Sequence, residues 1–266
     1  MAAARNGPIA FVRSTGRVAR VLIVDPSGGR PRPFGPREGT VGDPAWSPDG
    51  SRLAVAWRRW PDGFGISIVD GRGRELRALT GGRWIDASPT WSPDASTLAF
   101  SRVRGERALV YVIPARGGRP RPLVAGRAPD WSPRDDVLAF ERAAPVASDL
   151  FTYRPVEGEL EVVVSGPADD RDPDWSPDGT RLAFASDRDG DFDLYVLDLG
   201  AGRIRRLTDD PGDERWPEWS PDGRMIAFVR VLPESSSIWL VGTDGSGERR
   251  VTTGPWDSAP AWRPIP

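Results

Sequence analysis

Short apolar runs recur along the chain, and a polar, turn-forming segment precedes each of them. Five of the runs place Ala between two larger apolar residues, at positions 53–55, 98–100, 138–140, 182–184 and 226–228. A small residue between two large ones suits a β-strand packed between neighbouring sheets. Further short apolar runs follow, as at 193–197 and 237–241, and no segment shows convincing helical periodicity. The pattern therefore predicts many short strands.

A tryptophan recurs at intervals of 40 to 45 residues, with a proline two positions before it each time. Five of the six copies continue as Trp-Ser-Pro. We call these residues the repeat tryptophans and predict that they belong to the core: Trp46, Trp91, Trp131, Trp175, Trp219 and Trp262. Four strands in about 44 residues match one blade of a β-propeller.

A tight turn follows the repeat tryptophan, because three copies continue as Pro-Asp-Gly at 48–50, 177–179 and 221–223. Proline sets the first corner, aspartate bonds to its own backbone, and glycine accepts a positive φ. This chemistry predicts a hairpin between the first and second strands of each blade.

The two ends of the sequence complement each other. Residues 9–11 read as a second strand without a first, and residues 260–262 read as a first strand without a second. We therefore predict an all-β, six-bladed propeller of four-stranded antiparallel blades, closed by pairing of the C-terminal strand with the N-terminal strands. It spans 1–266 as one domain, with blades at about 43–84, 87–126, 128–169, 172–213, 216–256, and 259–266 joined with 8–40.

The amino-acid composition excludes several classes of function. The sequence contains no His and no Cys, which excludes Ser-His-Asp and Cys-His catalysis and cysteine-ligated zinc. The formal charge of −2 argues against nucleic acid as a partner. No apolar run is long enough for membrane insertion, and residues 1–7 lack a signal core. We expect a cytoplasmic protein, or an extracytoplasmic one if a leader has been removed.

Acidic residues stand five positions before four of the repeat tryptophans: Asp86, Asp170, Glu214 and Asp257. Equivalent positions in equivalent blades lie at equal radius, so we expect these carboxylates to converge at the channel mouth. There they would hold a metal ion or a cationic peptide group. The alternative is that each carboxylate caps the loop that enters its blade.

Arginines follow four of the second strands, where they face the same loops: Arg13, Arg102, Arg142 and Arg230. They would pair with the carboxylates or bind an anionic group of a ligand. The near-zero net charge favours pairing.

Tryptophans also lie in the loops beside the acidic set: Trp84, Trp216 and Trp256, with Trp57 and Trp60 near an adjacent loop. Exposed tryptophan beside charge is typical of a binding hot spot or a sugar-stacking surface, whereas packing between blades is the alternative. The acidic segment 187–193 invites a calcium interpretation, but it lacks the spacing and closing Glu of an EF-hand loop, so a polar hairpin turn is favoured.

The segments 173–184 (PDWSPDGTRLAF) and 186–196 (SDRDGDFDLYV) resemble the WD-like PD repeat of the TolB propeller family. The resemblance covers essentially the whole chain and implies a six-bladed propeller that binds partner proteins, in TolB itself within the cell envelope. Similar repeats form the propellers of prolyl-oligopeptidase-like and tricorn-like peptidases.

These observations favour a non-catalytic binding module for a protein or peptide at the loop-bearing channel face, with carbohydrate binding as a variant. Two alternatives stay open. One is a calcium-dependent hydrolase, lactonase or lyase at the central channel, and the other is the detached propeller of a prolyl-oligopeptidase-like peptidase. We expect no cofactor, apart from a calcium ion at the channel mouth as an option.

Overall fold

The computed structural model describes residues 4–16, 18–58, 63–105, 107–144 and 146–265. Within these ranges the chain forms 24 strands in six four-stranded sheets, so the predicted all-β, six-bladed propeller is confirmed. The same ranges contain no helix with the length and apolar character that crossing a membrane requires. In chain order the strands are β1 (Arg5–Ser14), β2 (Ala19–Val24), β3 (Arg32–Pro33), β4 (Thr40–Trp46), β5 (Arg52–Arg58), β6 (Phe64–Asp70), β7 (Glu75–Ala78), β8 (Ile85–Trp91), β9 (Thr97–Arg104), β10 (Arg107–Pro114), β11 (Arg121–Ala125), β12 (Arg127–Trp131), β13 (Leu138–Ala143), β14 (Ser148–Arg154), β15 (Glu159–Val164), β16 (Asp170–Trp175), β17 (Arg181–Ser186), β18 (Asp193–Asp198), β19 (Arg203–Arg206), β20 (Asp213–Trp219), β21 (Met225–Leu232), β22 (Ser235–Gly242), β23 (Arg249–Arg250) and β24 (Asp257–Ile265).

Five blades consist of four consecutive strands, and one blade combines the two ends of the chain. Blades 1 to 5 are β4–β7, β8–β11, β12–β15, β16–β19 and β20–β23, each antiparallel throughout. In blade 6 the order is β24-β1-β2-β3. Ile9 lies opposite Trp262 and Arg13 opposite Asp257 in this pairing. The last strand therefore supplies the inner strand of the blade in which the chain begins.

The second strand of every blade forms the centre of the core. The apolar triplet that it contains is fully buried in each blade, as the alternation of large and small residues predicts. The buried apolar side chains fall into six clusters, each joining neighbouring blades of the part of the chain described above. The repeat tryptophans are 3–9% exposed, so their assignment to the core is confirmed.

A serine hydroxyl organises the turn after the repeat tryptophan. In blade 1 Ser47 Oγ donates to Asp49 Oδ1 at 2.5 Å and accepts the backbone N–H of Arg52 at 3.0 Å. Gly50 at φ +64° completes the turn, and a Cβ there would lie 2.1 Å from the carbonyl oxygen of Pro264. The Trp-Ser-Pro-Asp-Gly motif thus fixes the hairpin that joins the first two strands of the blade.

Candidate functional site

The four candidate carboxylates lie at the start of inner strands and are fully or almost fully buried. Asp86, Asp170, Glu214 and Asp257 belong to β8, β16, β20 and β24. Each accepts a hydrogen bond from an arginine of its own blade. The residues that line the axial cavity begin two positions further along each strand. The structure therefore places the four carboxylates beside the channel in separate ion pairs, and they do not line the cavity.

Three of the four candidate arginines make these pairs, as the pairing interpretation expects. Arg13 contacts Asp257 at 2.6 Å, Arg102 contacts Asp86 at 2.6 Å, and Arg230 contacts Glu214 at 2.7 Å. They lie within β1, β9 and β21, and not after them, because the second strands run further than the apolar pattern indicates.

The fourth pair uses a different arginine. Asp170 accepts its hydrogen bond from Arg188, which lies beyond the end of β17, at 2.7 Å. Asp170 also borders a second pocket of about 400 Å³, formed with Asp187, Arg188 and residues 165–168.

In blade 3, none of the acidic residues that the structure describes pairs with Arg142. Gly126 occupies the position of the carboxylate there, and a Cβ on Gly126 would lie 2.2 Å from the ring of Phe140. The Arg142 guanidinium instead lies 5.4 Å from the ring centre of Phe151.

Burial changes the titration of two of the paired acids. Removal from water raises the pKa of Glu214 to about 8, although Arg230 opposes the shift. Burial likewise raises the pKa of Asp170, against the effect of its hydrogen bonds from Ser186 and Arg188. In both acids the partner arginine lowers the pKa, and burial outweighs it.

An axial cavity of about 430 Å³ runs through the ring. Its wall consists of successive positions on the inner strands, from three residues before the repeat tryptophan to the proline two residues after it. The loops that lead into the inner strands surround one end of the cavity, which we call the loop-bearing mouth. The first of these wall positions lies towards that mouth. The prolines form a collar at the other end: Pro48, Pro93, Pro133, Pro177, Pro221 and Pro264.

The layer of wall residues nearest the loop-bearing mouth has a left-handed backbone conformation. In every blade the residue three positions before the repeat tryptophan has a φ of 44° to 53°, and none of these residues is glycine. Each lies at a break in the strand register, which is the signature of a β-bulge. The bulge directs these positions to the cavity wall: Asp43, Ser88, Ala128, Asp172, Trp216 and Ala259.

Hydrogen bonds between blades hold this layer. Asp43 Oδ2 accepts the backbone N–H of Ser88 at 2.9 Å, and Asp172 Oδ2 accepts Arg215 Nε at 2.9 Å. Burial, with the nearby negative charge of Asp172, raises the pKa of Asp43.

One layer deeper, three carboxyls form a row on one side of the wall. They stand directly before the repeat tryptophans of blades 3, 4 and 5, as Asp130, Asp174 and Glu218. Asp130 Oδ2 accepts the N–H of Trp175 at 2.8 Å, and Asp174 Oδ2 accepts the N–H of Trp219 at 2.6 Å. The row therefore joins each blade to the next one.

No arginine neutralises this row among the residues that the structure describes. Burial raises the pKa of Asp130 to about 6 and that of Glu218 to about 8. Burial and the adjacent Glu218 carboxyl raise the pKa of Asp174 well above its ordinary value. The row can hold protons near neutrality and can lose them to a cation that enters the cavity.

The loop tryptophans differ in their surroundings. Trp216 is 39% exposed and lines the cavity from within β20, while Trp256 is 42% exposed just before β24. Trp84 is partly buried between Arg83 and Arg104, whose guanidinium carbons lie 5.0 and 3.8 Å from its ring centre. Trp57 belongs to β5 and donates to the carbonyl of Glu38 at 2.9 Å, and Trp60 lies outside the described residues.

The acidic segment 187–193 makes protein contacts. Asp187 accepts the N–H of Asp169 at 2.7 Å, and Asp189 accepts the hydroxyl of Tyr195 at 2.5 Å. Asp193 is fully buried and pairs with Arg206 at 2.5 Å. In the described part of the chain, no three His, Cys, Asp or Glu side chains are grouped so as to hold a metal ion. The carboxylates of this segment are held in protein contacts, so they do not fit the optional calcium ion.

Sequence reasoning missed the cavity-wall carboxyls. Their signal was present, because Asp130, Asp174 and Glu218 directly precede repeat tryptophans in three consecutive blades. The prediction instead used the position five residues before the repeat tryptophan, because that position is acidic in four blades.

A family model described as the TolB beta propeller domain matches residues 4–144 and 126–265. No curated protein matches the sequence significantly.

Several solved structures share the architecture at low identity. TolB from Acinetobacter baumannii is 19% identical with a TM-score of 0.86, over 97% of this chain and 66% of that one. A putative TolB from Agrobacterium tumefaciens is 21% identical with a TM-score of 0.73, over 98% of this chain and 99% of that one. A puromycin-hydrolysing peptidase from Mycobacterium tuberculosis is 18% identical with a TM-score of 0.63, over 93% of this chain and 45% of that one.

Proposed function

Because the chain belongs to the TolB β-propeller domain family, we propose that it is a non-catalytic binding module for an extended segment of a protein. The segment enters the loop-bearing mouth of the axial channel. The observation that carries this proposal is the 430 Å³ cavity with the exposed ring of Trp216 in its wall.

Size and shape support a peptide ligand. A cavity of some hundreds of cubic ångströms accepts a few side chains of an extended chain but not a folded domain. Tryptophan at the edge of such a cavity offers a large, rigid contact area, which is typical of interface hot spots. Trp256, directly before β24 in the neighbouring blade 6, extends this aromatic surface, whereas Trp84, directly before β8 in blade 2, lies on the opposite side of the ring. We assign all three to ligand contact.

Charge supports a basic residue within that segment. Asp130, Asp174 and Glu218 lack a neutralising arginine among the described residues, whereas the outer acids Asp86, Asp170, Glu214 and Asp257 have one. An entering lysine or arginine side chain would meet the first set and favour its ionised form, because a nearby positive charge lowers the pKa of a buried carboxyl. We assign the outer pairs, with Arg13, Arg102, Arg188 and Arg230, to holding the loops of the mouth in place.

The available side-chain chemistry supports a non-catalytic role. The sequence offers no imidazole and no thiol, and the carboxyls that face the cavity accept backbone hydrogen bonds from the next blade. Asp130 and Asp174 thus contribute to holding neighbouring blades together.

A displayed library of random dodecapeptides tests the proposal. Selected peptides should carry basic and apolar residues and bind the purified propeller, with affinity read by fluorescence anisotropy. Trp216→Ala should weaken binding at least about tenfold, and Asp174→Asn should weaken the peptides with a basic residue. Val156→Ala on the outer rim is the matched control, because Val156 is exposed and far along its blade from the inner strand. Binding that survives both channel substitutions would overturn the proposal.

The two alternatives have their own readouts. Submicromolar calcium uptake by the chelator-treated protein, abolished by Asp170→Ala, would favour the calcium-dependent enzyme. A native polypeptide long enough to contain an additional hydrolase domain would favour the peptidase propeller.

A further inference from the structure

Each blade of a propeller ends in an outer strand whose far edge is unpaired. Such an edge presents backbone N–H and C=O groups at every second residue and can pair with a strand of another protein. Natural proteins protect these edges by making them short or by placing charged residues, above all cationic ones, and proline on them.

Five of the six outer strands carry this protection within the described ranges. β3 and β23 have two residues each, and β7, β11 and β19 have four or five. All five contain arginine, and β3 and β11 also contain proline.

The outer strand of blade 3 is different. β15 has six residues, ELEVVV, without arginine, proline or glycine. Among the described strands it pairs with β14, in continuous register from Glu159 opposite Arg154 to Val162 opposite Phe151, and after a break in register Val164 lies opposite Leu150. Leu160 is 42% exposed and Val162 is 54% exposed. This edge therefore combines length, high β-propensity and exposed aliphatic side chains.

The side chains of β15 indicate the chemistry of a partner. Glu159 and Glu161 point to one face and Leu160 and Val162 to the other, because strand side chains alternate. Among the described residues, the arginine that contacts this strand is Arg154 of β14, whose Nε lies 4.0 Å from Glu159 Oε2 with both side chains largely exposed. Glu161 has no ion-pair partner among the described residues.

We propose that β15 is a docking edge for an extended protein segment in which basic residues alternate with aliphatic ones. The segment adds a fifth strand to blade 3, its basic side chains lie opposite Glu159 and Glu161, and its aliphatic side chains continue the row of Leu160 and Val162. A second copy of this chain fits less well, because pairing β15 with itself brings glutamates of both copies together. This edge lies on the outer rim, so the inference is independent of the channel.

A synthetic peptide tests the edge. The probe is a labelled, acetylated and amidated hexapeptide of alternating arginine and valine, and its affinity is measured by fluorescence anisotropy. Hydrogen–deuterium exchange should show protection at residues 159–164 when it binds. The same peptide methylated on every backbone nitrogen keeps its charges but cannot donate ladder hydrogen bonds, so it should fail to bind.

Two double variants separate the edge from overall charge. Glu159→Arg with Glu161→Arg should weaken the peptide about tenfold or more, since two attractive cross-strand pairs become repulsive. Glu157→Arg with Glu234→Arg changes the net charge equally at exposed positions outside the strands and should have little effect. Thermal unfolding confirms that both variants remain folded.

Several results would overturn the proposal. They are equal weakening by both double variants, binding of the methylated peptide, or protection at a strand other than β15. A stable dimer in light scattering, with β15 protected in the absence of peptide, would make a second copy the occupant and would also overturn it.

Discussion

Arg102 donates two hydrogen bonds to Asp86 inside blade 2, Nε to Oδ1 at 2.6 Å and Nη2 to Oδ2 at 2.7 Å. The two residues lie directly opposite each other on β9 and β8, and both are buried. The guanidinium also stacks on Tyr111, with its carbon 4.8 Å from the ring centre. In this buried pair each residue neutralises the charge of the other and supplies its hydrogen bonds. Loss of one residue leaves the charge of the other buried without a partner.

Removal of the Asp86 carboxylate should therefore destabilise the fold. We expect Asp86→Ala to lower the free energy of unfolding by about 3–5 kcal/mol, because Arg102 becomes a buried charge without a partner. Asp86→Ala combined with Arg102→Met should recover much of this loss. Urea titration followed by tryptophan fluorescence measures both.

An exposed pair provides the control for this experiment. Glu159 and Arg154 are 4.0 Å apart and largely solvent-accessible, so Glu159→Ala should change stability by no more than about 0.5 kcal/mol. If Asp86→Ala costs as little as the control, the buried pair does not stabilise the blade.

Asp130 connects three blades through one carboxyl group. It accepts the Thr90 hydroxyl at 3.0 Å and the N–H of Trp175 at 2.8 Å. Asp130→Ala should cost about 1–3 kcal/mol, because the Trp175 N–H loses its acceptor. Asp130→Asn retains an amide oxygen and should cost less, and equal losses for the two variants would argue against this role.

The cavity-wall carboxyls should make stability depend on pH. The folded pKa of Glu218 is about 8 against an ordinary value of 4.5, so the folded protein holds more protons than the unfolded chain between these values. The contribution is favourable below pH 4.5 and is lost as pH rises towards 8. Asp130 adds to the same trend between its ordinary value of 3.8 and about 6.

Glu218→Gln tests this dependence. In this variant the free energy of unfolding should decrease less steeply between pH 4.5 and 8, and the difference in slope should correspond to about one bound proton. Urea titrations at a series of pH values measure this slope. Glu161→Gln, on the exposed outer strand, is the control. A slope unchanged by Glu218→Gln would show that this carboxyl does not hold the proton.

Backbone strain at Trp216 gives a further prediction. Its φ of 51° is costly for any residue with a Cβ. Trp216→Gly should thus be more stable than Trp216→Ala by about 1 kcal/mol. Differential scanning calorimetry of the two variants measures the difference, and its absence would mean that the bulge relaxes once the indole is removed.

The repeat made the fold predictable. The apolar triplets, the Trp-Ser-Pro-Asp-Gly turns and the complementary ends each reflect a local requirement that every blade repeats. One copy of the motif would be a weak indication of a strand, but six copies at a constant interval identify a propeller. The second strands are buried as the pattern indicates.

The site was predictable only in part. Charge balance indicated that the acids at Asp86, Glu214 and Asp257 pair with arginines, and they do. The bulge before each repeat tryptophan has no local sequence signal, because Ala128, Ala259 and Trp216 are poor choices for positive φ. Tertiary packing of the ring imposes this conformation. Since the bulge changes which side chains face the axis, the cavity wall could not be located from spacing alone.

The pairing of β1 with β24 bears on how the protein is made. Arg13 and Asp257 are separated by 244 positions, so the blade that contains β1 lacks its inner strand until β24 has been synthesised. Contacts at such a distance form slowly, and they come after the intervening blades have had time to form. During synthesis the inner edge of β1 stays open to other chains, and a chaperone that shields this edge would raise the yield of folded protein.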